Sequence, residues 1–593
     1  MQTKTVENHN NRQLAEIFHR MANSYRYLGP KHRFRAIAYE AAGRSVNGLK
    51  DDISLHAGSI KTLDKISGIG ESIAEKVIEF LQTGKIETYE KLKRQVPEEL
   101  IELMDITGCG PATVKLLHKK FRIHSKDELI AALESDKLNK VKGFGAKKIE
   151  NLKHGLKLYK AGQERMLLSE ALNRGRELLQ EISSLPRVMK AELAGSVRRR
   201  KETIGDLDIV ACAAREDWKK IMNSIARLPQ VEKVIAKGET KVSFLLQHNS
   251  KQVDLRLVES HEYGAALFYF TGSKEFNIKL RTWARNQGWK LSEYGLFDIK
   301  TGSQLAGATE EEIFECFGMQ YVPPELREES DVIETARAFK LPALVELKDI
   351  KGDMQMHSRW SDGAEKIETI ARYVLKELPK YEYIVITDHS PSERVARGLQ
   401  VEDFEKQFIE IDSINKKLRK LFVRKGVEVD ILQDGSLDLP DELLEKFDWV
   451  TASIHTGFAH DNTERLISAC HHPHVHCIGH PAGRLMGKRD GYPVAWKRLF
   501  DCLAATGTAI EINAQPERLD LQDELVKEAI ARGVTITIST DAHMLTQFGF
   551  MELGTAVARR GWCTKGDVLN THSWEVIEKF KKKKQKLAGA AIH

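Results

Sequence analysis

The sequence lacks the features that mark membrane-spanning and secreted proteins. No run of about 18 apolar residues is present, so no segment is long enough to cross a bilayer as a helix. The opening residues, MQTKTVENHNNRQL, are polar and lack the apolar stretch of a secretion signal. The 7 cysteines are scattered, and no Cys-x-x-Cys pair occurs among them. We therefore expect a protein of the reducing cytoplasm with no membrane partner.

A strong excess of charge of one sign is also missing. The formal net charge of +6 and the pI near 8.6 are only mildly basic, which permits a nucleic-acid partner without implying one. The hydrophobic content of 41% and the charged content of 30% are ordinary for a soluble protein. A chain of 593 residues is too long for one hydrophobic core and predicts roughly three to five domains. The function must therefore be sought in local motifs.

A short glycine turn recurs between residues 12 and 159, which otherwise show helical periodicity. The copies are ISGIGESIAEKV at 66–77, ITGCGPATVKLL at 106–117 and the looser VKGFGAKKIENL at 141–152. Each turn leaves backbone N–H groups and a helix N-terminus facing a phosphate-sized anion. One copy is equally well a simple helix cap, but three copies resemble helix-hairpin-helix elements, which hold the DNA backbone. The predicted DNA-binding glycines are Gly68, Gly70, Gly108 and Gly110.

Lys76 lies on the helix that follows the first glycine turn. A partly desolvated lysine there is a candidate to form a Schiff base with an abasic sugar, which would give this region lyase activity. A surface charge is the alternative, because most helical lysines are solvated. The basic head of the preceding helix, His32 with Arg33 and Arg35, has the same two interpretations: an approach to DNA or a solvated face.

Two predicted strands of the middle third carry aspartates on one face. In GDLDIVACA the alternation puts Asp206 and Asp208 on the same face, and KQVDLRLVE repeats the pattern with Asp254. Neighbouring carboxylates repel, so divalent cations are their natural counter-ions. If the strands are neighbours, the three carboxylates can hold two Mg²⁺ ions, one lowering the pKa of an attacking hydroxyl and the other steadying a leaving pyrophosphate.

A Gly-Ser turn precedes the first of these strands. Gly195 and Ser196 offer backbone and hydroxyl donors to a terminal phosphate, and an arginine neutralises the charge that builds up during transfer. The order Gly-Ser, Arg, Asp-x-Asp, Asp resembles a nucleotidyltransferase palm. The resemblance implies that Ser196 and Arg199 hold an incoming triphosphate. It also implies that Asp206 and Asp208 bind both metal ions and that Asp254 activates the primer hydroxyl. A DNA-binding scaffold without catalysis is the alternative, although such a scaffold has no need of the carboxylates.

The segment ALFYFTGSKEFNIKLRTWARNQGWKLSEYGLF, residues 266–297, resembles the thumb of family X DNA polymerases. Together with the glycine turns, the resemblance covers about residues 10–325 and implies gapped or primer-template DNA and deoxynucleoside triphosphates as substrates. Lys274 departs from the family, whose better-known members have an aspartate there. The resemblance implies a sugar pocket and, on the following helix, contacts to the minor groove and template. The implied residues are Tyr269, Phe270 and Gly272, then Asn277 and Arg281.

Beyond YVPPELREESD, short β runs alternate with amphipathic helices. Six apolar runs end in metal-binding side chains, at the end of the strand where a β/α barrel has its active site. The order resembles the PHP (polymerase and histidinol phosphatase) domain of bacterial family X polymerases. That resemblance implies nine ligands for up to three ions, Mn²⁺ or Zn²⁺, with Arg394 and Arg484 as phosphate contacts. The eight matching ligands are His357, Asp362, His389, Glu428, His455, His480, Asp541 and His543.

Gln355 occupies the ninth ligand position, where the PHP family has a histidine. An amide oxygen is a poorer Zn²⁺ ligand than imidazole, and the exchange should weaken one metal by about ten- to a hundredfold. The predicted activity of the barrel is a 3′–5′ exonuclease with abasic-site cleavage as a second reaction. Two alternatives are a structural barrel without catalysis and a phosphatase for small esters, which would leave the glycine turns unexplained.

The sequence thus predicts a multidomain protein with an all-α helix-hairpin-helix region, an α+β nucleotidyltransferase palm and thumb, and a distorted β/α barrel. The predicted function is a template-directed repair polymerase that fills short gaps, acts as a monomer and carries a nuclease. The predicted domains are 1–90 (lyase-like), 91–160 (fingers-like), 161–260 (palm), 261–325 (thumb), 326–345 (linker), 346–575 (PHP barrel) and 576–593 (basic tail).

Overall fold

The computed structural model describes most of the chain. The described residues are 9–47, 49, 52–66, 68–106, 109–135, 138, 145, 148–150, 152–153, 156, 165–247, 250–328, 332–418 and 420–590. Gly108 and most of the third glycine turn lie outside them. Across these ranges no helix is both long and apolar enough to span a bilayer.

The N-terminal third is helical and has two separate cores. Gly70 and Gly110 each precede a helix, and Pro111 fits the first turn of its helix because that position needs no N–H donor. Gly68 has φ +81°, and a Cβ there would meet Ser45 Oγ at 2.6 Å, so the first turn requires glycine. The helices are α1 His9–Leu28, α2 Arg33–Asn47, α3 Ile60–Leu63, α4 Glu71–Thr83, α5 Glu87–Gln95, α6 Glu98–Glu102, α7 Pro111–Phe121 and α8 Lys126–Glu134.

The palm is a five-stranded sheet in the order β2-β4-β7-β6-β5, with helices packed on one face. The central strands β4 and β7 are parallel, and their odd-numbered apolar residues, such as Leu207 and Val253, are buried. The strands are β1 Met166–Leu167, β2 Lys190–Leu193, β3 Thr203–Ile204, β4 Leu207–Cys212, β5 Val231–Lys237, β6 Lys241–Leu246 and β7 Gln252–Val258; the helices are α9 Leu168–Ser184, α10 Gly195–Arg198 and α11 Trp218–Ile225.

The thumb packs helices on a small antiparallel sheet around Phe268, Phe276 and Phe314. The predicted linker 326–345 contains a helix whose Val332 and Ile333 belong to this same core, so the segment is packed rather than free. The elements are α12 Tyr263–Thr271, α13 Lys274–Asn286, β8 Trp289–Ser292, β9 Gly295–Asp298, β10 Gln304–Ala306, α14 Glu310–Cys316 and α15 Val332–Arg337.

The C-terminal domain is a seven-stranded parallel sheet in sequential order, β11 to β17. Its first and last strands meet, because the His357 N–H donates to Ala542 O at 2.8 Å and the Asp541 N–H donates to Gln355 O at 3.0 Å. The sheet is therefore a nearly closed barrel. Its strands are β11 Gly352–Asp353, β12 Tyr383–Ile386, β13 Phe422–Asp430, β14 Trp449–Ser453, β15 Cys477–Ile478, β16 Ala509–Asn513 and β17 Ile536–Ser539.

Helices cover the outside of the barrel, and the last one closes its lower end. Residues 576–590 of the predicted basic tail belong to this helix, whose Lys584 is fully buried and donates to Cys470 O. The helices are α16 Ile367–Glu377, α17 Val401–Lys417, α18 Asp441–Leu444, α19 Thr463–His471, α20 Trp496–Thr506, α21 Asp523–Ala531, α22 Met551–Arg560 and α23 Trp574–Ala590. Turns of 3₁₀ helix lie at Pro30–His32, Ile53–His56, Leu103–Asp105, Arg215–Asp217, Pro324–Leu326, Leu347–Asp349, Leu545–Phe550 and Leu569–Thr571.

Candidate active sites

The predicted carboxylates of the palm meet across two neighbouring strands. Asp208 on β4 is the direct register partner of Asp254 on β7, and Asp206 immediately precedes β4. Burial, together with the charges of Asp206 and Asp254, raises the pKa of Asp208 to about 7. Burial acts on Asp254 in the same direction, but hydrogen bonds from Lys241 Nζ (2.8 Å) and other donors hold its pKa below the ordinary value. Carboxylates in mutual repulsion are a donor set that fits divalent cations.

Gly195 is required by its contact with this carboxylate cluster. It begins the short helix α10 at φ +61°, and a Cβ there would lie 2.1 Å from Asp208 Oδ2. A side chain at this position would displace the central aspartate of the cluster. Ser196 follows on the same helix and is half-buried. Gly195 thus borders the carboxylates, and the contact of Gly195 and Ser196 with a triphosphate stays a prediction.

Arg199 lies between the carboxylates and the thumb. Its charge lowers the pKa of Asp208, and its Nη1 donates to Thr271 O. The same Nη1 lies 3.2 Å from the position that a Cβ on Gly272 would occupy. Its Nε donates to Glu328 Oε1 at 2.8 Å. The preceding residue, Arg198, instead forms a two-point ion pair with Glu310. Arg199 is therefore the arginine next to the predicted nucleotide site, and in this structure a carboxylate holds it.

The predicted sugar-pocket and template residues lie on α12 and α13. Tyr269 and Phe270 pack edge to face with centroids 5.3 Å apart, and the Arg256 guanidinium lies 4.7 Å from the Phe270 ring centroid. Asn277 Nδ2 donates to Tyr269 O at 2.7 Å, which links the two helices. Arg281 is exposed one turn further along α13. Arg256 shares the face of Asp254 on β7, so alternation along that strand was the available signal for this additional residue.

All eight predicted ligands of the barrel gather at the carboxyl ends of its strands. Seven of the eight, all but His480, belong to three overlapping clusters, and the donor atoms of each cluster lie within 4.8 Å of one another. Glu428 takes part in two clusters, and His480 Nε2 lies 2.9 Å from its Oε1. The clusters are His357, Asp362, His389 and His543; His389, Glu428 and His455; and His357, Glu428 and Asp541.

The donor chemistry of the barrel also fits metal ions. The His357 ring is stacked against the rings of His389 (4.4 Å) and His543 (4.3 Å), although charged imidazoles would repel. Burial lowers the pKa of His389 to about 3, so this ring is neutral and has a lone pair to donate. Within the described residues, the buried Nδ1 atoms of His357, His389 and His480 have no hydrogen-bond partner. Unpaired buried imidazole nitrogens beside buried carboxylates are a donor set that fits divalent cations.

Comparisons with known proteins agree with this geometry. Residues 266–328 match the model of the DNA polymerase beta thumb, residues 9–86 a helix-hairpin-helix domain, and residues 100–158 a SAM-like helix-hairpin-helix tandem. The chain is 37% identical over 563 residues to the DNA polymerase/3′-5′ exonuclease PolX of Bacillus subtilis (strain 168), which covers 94% of this chain and 97% of that protein. The chain belongs to the bacterial family X DNA polymerases with a PHP domain.

More distant relatives of this family X polymerase match its two halves separately. DNA polymerase lambda of Rattus norvegicus is 25% identical over 54% of this chain and 56% of its own length. A probable phosphatase of Thermoanaerobacter sp. (strain X514) is 31% identical over 35% of this chain and 84% of its own length. The predicted family is therefore confirmed, as is the predicted fold class.

Gln355 is fully buried at the seam where the barrel of this family X polymerase closes. Its backbone carbonyl accepts from the N–H of the predicted ligand Asp541, and its Oε1 lies 3.6 Å from where a Cβ on Gly479 would be. Neither Oε1 nor Nε2 has a hydrogen-bond partner among the residues that the structure describes. A buried amide with both polar atoms unpaired is unusual and costly.

Arg484 does not have the position that a phosphate contact needs. Its guanidinium forms an ion pair with Glu202 of the palm and donates to Arg518 O and Leu519 O. The prediction that Arg484 contacts phosphate is therefore corrected, because its donors are engaged in joining the barrel to the palm. Arg394, the second predicted phosphate contact, is exposed in the loop after β12.

Lys76 lies in a cleft of about 1090 Å³ on the N-terminal helices. Its Nζ donates to Ser72 O at 2.8 Å and Ser72 Oγ at 3.1 Å. Gly68 and Gly70 line the same cleft, and so does Arg359, which lies two residues after the barrel ligand His357. The cleft therefore reaches from the first glycine turn to the mouth of the barrel, a proximity that the sequence alone did not indicate.

Proposed function

We propose that this chain is a template-directed DNA polymerase of the repair type that fills short gaps and trims 3′ ends with its barrel. The pairing of β4 with β7, which aligns Asp208 with Asp254, is the observation that carries the polymerase activity. The three palm carboxylates would hold Mg²⁺, which when bound supplies Lewis acidity to both the attacking and the leaving oxygens. DNA and deoxynucleoside triphosphates are the proposed substrates.

The palm residues have different proposed roles, which follow from the charge and chemistry of each side chain. Asp254 is kept ionised by its hydrogen bond from Lys241, and it is the proposed acceptor for the proton of the primer 3′-hydroxyl. Ser196 and Arg199 would bind the triphosphate through a hydroxyl and a guanidinium. Tyr269 and Phe270 would lie beneath the sugar and oppose a 2′-hydroxyl.

The barrel is the proposed site of 3′–5′ exonuclease activity. Its His and carboxylate ligands would hold Mn²⁺ or Zn²⁺, which when bound supplies an activated nucleophile for phosphodiester cleavage. Gln355 replaces an imidazole with an amide oxygen, and its position favours Mn²⁺ over Zn²⁺ in the cluster that it borders. A harder ion tolerates oxygen ligands better, so the barrel is proposed to be an active and Mn²⁺-responsive nuclease.

Two single substitutions test the pair of activities. Asp208→Ala should abolish primer extension on gapped DNA and leave DNA binding and 3′ trimming intact. His455→Ala should have the opposite effect, because it removes a ligand of the barrel and lies far along the chain from the palm. Both activities are measured on one gapped, end-labelled duplex. Synthesis that survives Asp208→Ala would refute the palm, and trimming that survives His455→Ala would refute the barrel.

A second reaction, the processing of abasic sites, is favoured by the cleft around Lys76. Lys76 lines this cleft from the helix that follows a glycine turn of a size that suits a phosphate. Arg359, at the mouth of the barrel, lines the same cleft. Lys76 would form the Schiff base, and the barrel would cleave the phosphodiester. Borohydride reduction in the presence of an abasic duplex should trap a covalent adduct with the native chain. The adduct should be lost in Lys76→Ala, while Lys65→Ala, a lysine of the same cleft, should retain it.

A further inference from the structure

Three consecutive arginines after the Gly-Ser turn connect the palm to the thumb and to the barrel. Arg198 forms a two-point ion pair with Glu310 of the thumb, at 2.9 and 2.8 Å. Arg199 pairs with Glu328, at the end of the thumb. Arg200 pairs at 3.3 Å with Glu552 of the barrel. The segment next to the palm carboxylates is therefore connected directly to the barrel.

The partner of Arg199 is shared with a second arginine. Arg560, at the end of barrel helix α22, lies with its Nη1 3.4 Å from the same Glu328 Oε1 that accepts from Arg199 Nε. The same Nη1 donates to the Arg199 backbone carbonyl at 2.9 Å. Asp523 anchors the other end of the Arg560 guanidinium at 2.5 Å, and the side chain is only 4% exposed. A rigidly held barrel residue thus contacts both the backbone of Arg199 and the carboxylate that holds its side chain.

Glu328 stands in for an anion at Arg199. The guanidinium uses Nε for Glu328 and Nη1 for Thr271 O. A planar guanidinium grips phosphate with the same N–H donors that it offers to a carboxylate, so a triphosphate and Glu328 compete for them. Arg560 supplies a second cation to Glu328, and a carboxylate that shares its charge between two guanidiniums holds each of them less tightly.

The other charged groups at this junction pair among themselves. Glu325 accepts from Arg559 Nε at 2.8 Å, and Arg559 also donates to Val345 O. Glu552 accepts from Arg176 as well as Arg200. Arg559, like Arg560, therefore joins this barrel helix to the end of the thumb. Among the described residues, Arg559 makes no hydrogen bond or ion pair with Arg199 or Glu328.

We propose that Arg560 of the barrel is a positioning residue for nucleotide binding in the palm. By drawing on Glu328 and fixing the Arg199 carbonyl, it leaves the Arg199 guanidinium free to exchange the carboxylate for the incoming triphosphate. Docking of the barrel thereby sets the affinity of the polymerase site for its nucleotide. The proposal rests on the polymerase function proposed above and adds to it a dependence on a residue more than 200 positions away along the chain, since Glu328 and Arg560 are separated by 232 residues.

The test is single-nucleotide insertion on gapped DNA by the full chain, with KM for the nucleotide and kcat measured separately. Arg560→Met removes the second cation, so Glu328 grips Arg199 more tightly and KM should rise about tenfold with kcat changed less than about twofold. Glu328→Gln removes the competing charge and should lower KM. In the Glu328→Gln background, Arg560→Met should change KM by less than about twofold, because the competition is already gone.

Arg559→Met is the matched control, since it breaks an ion pair of the same helix with the same end of the thumb. It should leave KM within about twofold of the native value. The exonuclease activity of each variant reports whether the barrel is folded. Arg560→Lys keeps the charge and should have a KM close to the native value, which provides a second test if Arg560→Met folds poorly.

Equal KM changes in Arg560→Met and Arg559→Met would show a merely structural interface and overturn the proposal. So would a higher KM in Glu328→Gln, or fully additive effects in the double variant. A native chain that inserts nucleotides normally while the variants fail these expectations refutes the positioning role alone. A native chain that inserts none refutes the proposed polymerase function, and the positioning role with it.

Discussion

Replacing Gln355 with methionine should stabilise the metal-free protein. The Gln355 side chain is 0% exposed, and both of its amide atoms are without a partner among the described residues. Leaving a buried polar group unsatisfied costs about 1–3 kcal/mol, and methionine has nearly the same length without that cost. Gln355→Met should therefore increase the free energy of unfolding of the metal-free protein by about 1–3 kcal/mol. For a domain of this size each kcal/mol corresponds to about 2–4 °C in Tm.

Mn²⁺ should reverse this order. If the Gln355 amide oxygen binds the ion, methionine removes a ligand, and ion-dependent stabilisation falls with the lost affinity. A ten- to hundredfold loss corresponds to about 1.4–2.7 kcal/mol at saturating ion, roughly the size of the gain in the metal-free protein. Gln355→His should show the largest stabilisation by the ion, since imidazole is the better ligand. The assay is thermal unfolding of the three proteins, with chelator and with Mn²⁺.

Gln407→Met provides the matched control. Gln407 is equally buried in the same barrel, but its Nε2 donates to Asp388 Oδ2 at 2.6 Å. The same substitution there removes a hydrogen bond to a buried carboxylate and should destabilise the protein with or without Mn²⁺. If Gln355→Met also destabilises the metal-free protein, or if Mn²⁺ stabilises the native, methionine and histidine forms equally, Gln355 is not directed at a metal.

Further outcomes concern titration and the joint between palm and thumb. Burial lowers the pKa of Lys584 from 10.5 to about 8, so the unfolded chain keeps this proton to a higher pH than the folded chain does. The free energy of unfolding should therefore rise between about pH 8 and 10.5. Urea unfolding of Lys584→Met should show no such rise and a free energy of unfolding about 2 kcal/mol higher at pH 7. Asp208 has a pKa of about 7, so Mg²⁺ must displace its proton at lower pH. The Mg²⁺ affinity measured by calorimetry should fall up to about tenfold per pH unit below pH 7. An affinity that does not change with pH, or the same pH dependence in Asp208→Asn, would contradict this. Glu310 lies between Arg198 and Arg327, so Glu310→Gln should leave two poorly paired buried cations. Thermal unfolding should show a loss of stability of about 3–5 kcal/mol. The exposed neighbour provides the control, because Glu311→Gln should cost less than about 0.5 kcal/mol.

The catalytic faces were predictable because they depend on local periodicity. Alternation along β4 and β7 fixes which side chains share a face, and it correctly separates Asp208 and Asp254 from the buried Leu207 and Val253. The recurrence of His and carboxylate residues after apolar runs likewise predicts the barrel ligands, because parallel strands end at one edge. These inferences need only the residue types and a period of two.

The partners of charged residues were not predictable in the same way. Arg484 was interpreted as a phosphate contact, yet its partner is Glu202, 282 positions away along the chain. Lys584 lies in a lysine-rich segment whose composition indicates solvent, yet one face of its helix covers the barrel and buries this residue. Composition reports the average character of a segment, whereas burial depends on which face meets another element, and that information comes from the rest of the fold.

The arrangement around Glu428 explains why a departure at position 355 need not dismantle the barrel site. This carboxylate is fully buried and lies at the centre of the ligands, with imidazole nitrogens from four strand ends 2.9–3.5 Å from its oxygens. Those nitrogens belong to His357, His389, His455 and His480. Because four independent elements fix its position, Glu428 does not depend on the residue at 355. None of the three clusters includes an atom of Gln355, so we expect the glutamine to weaken one ion and leave the others bound.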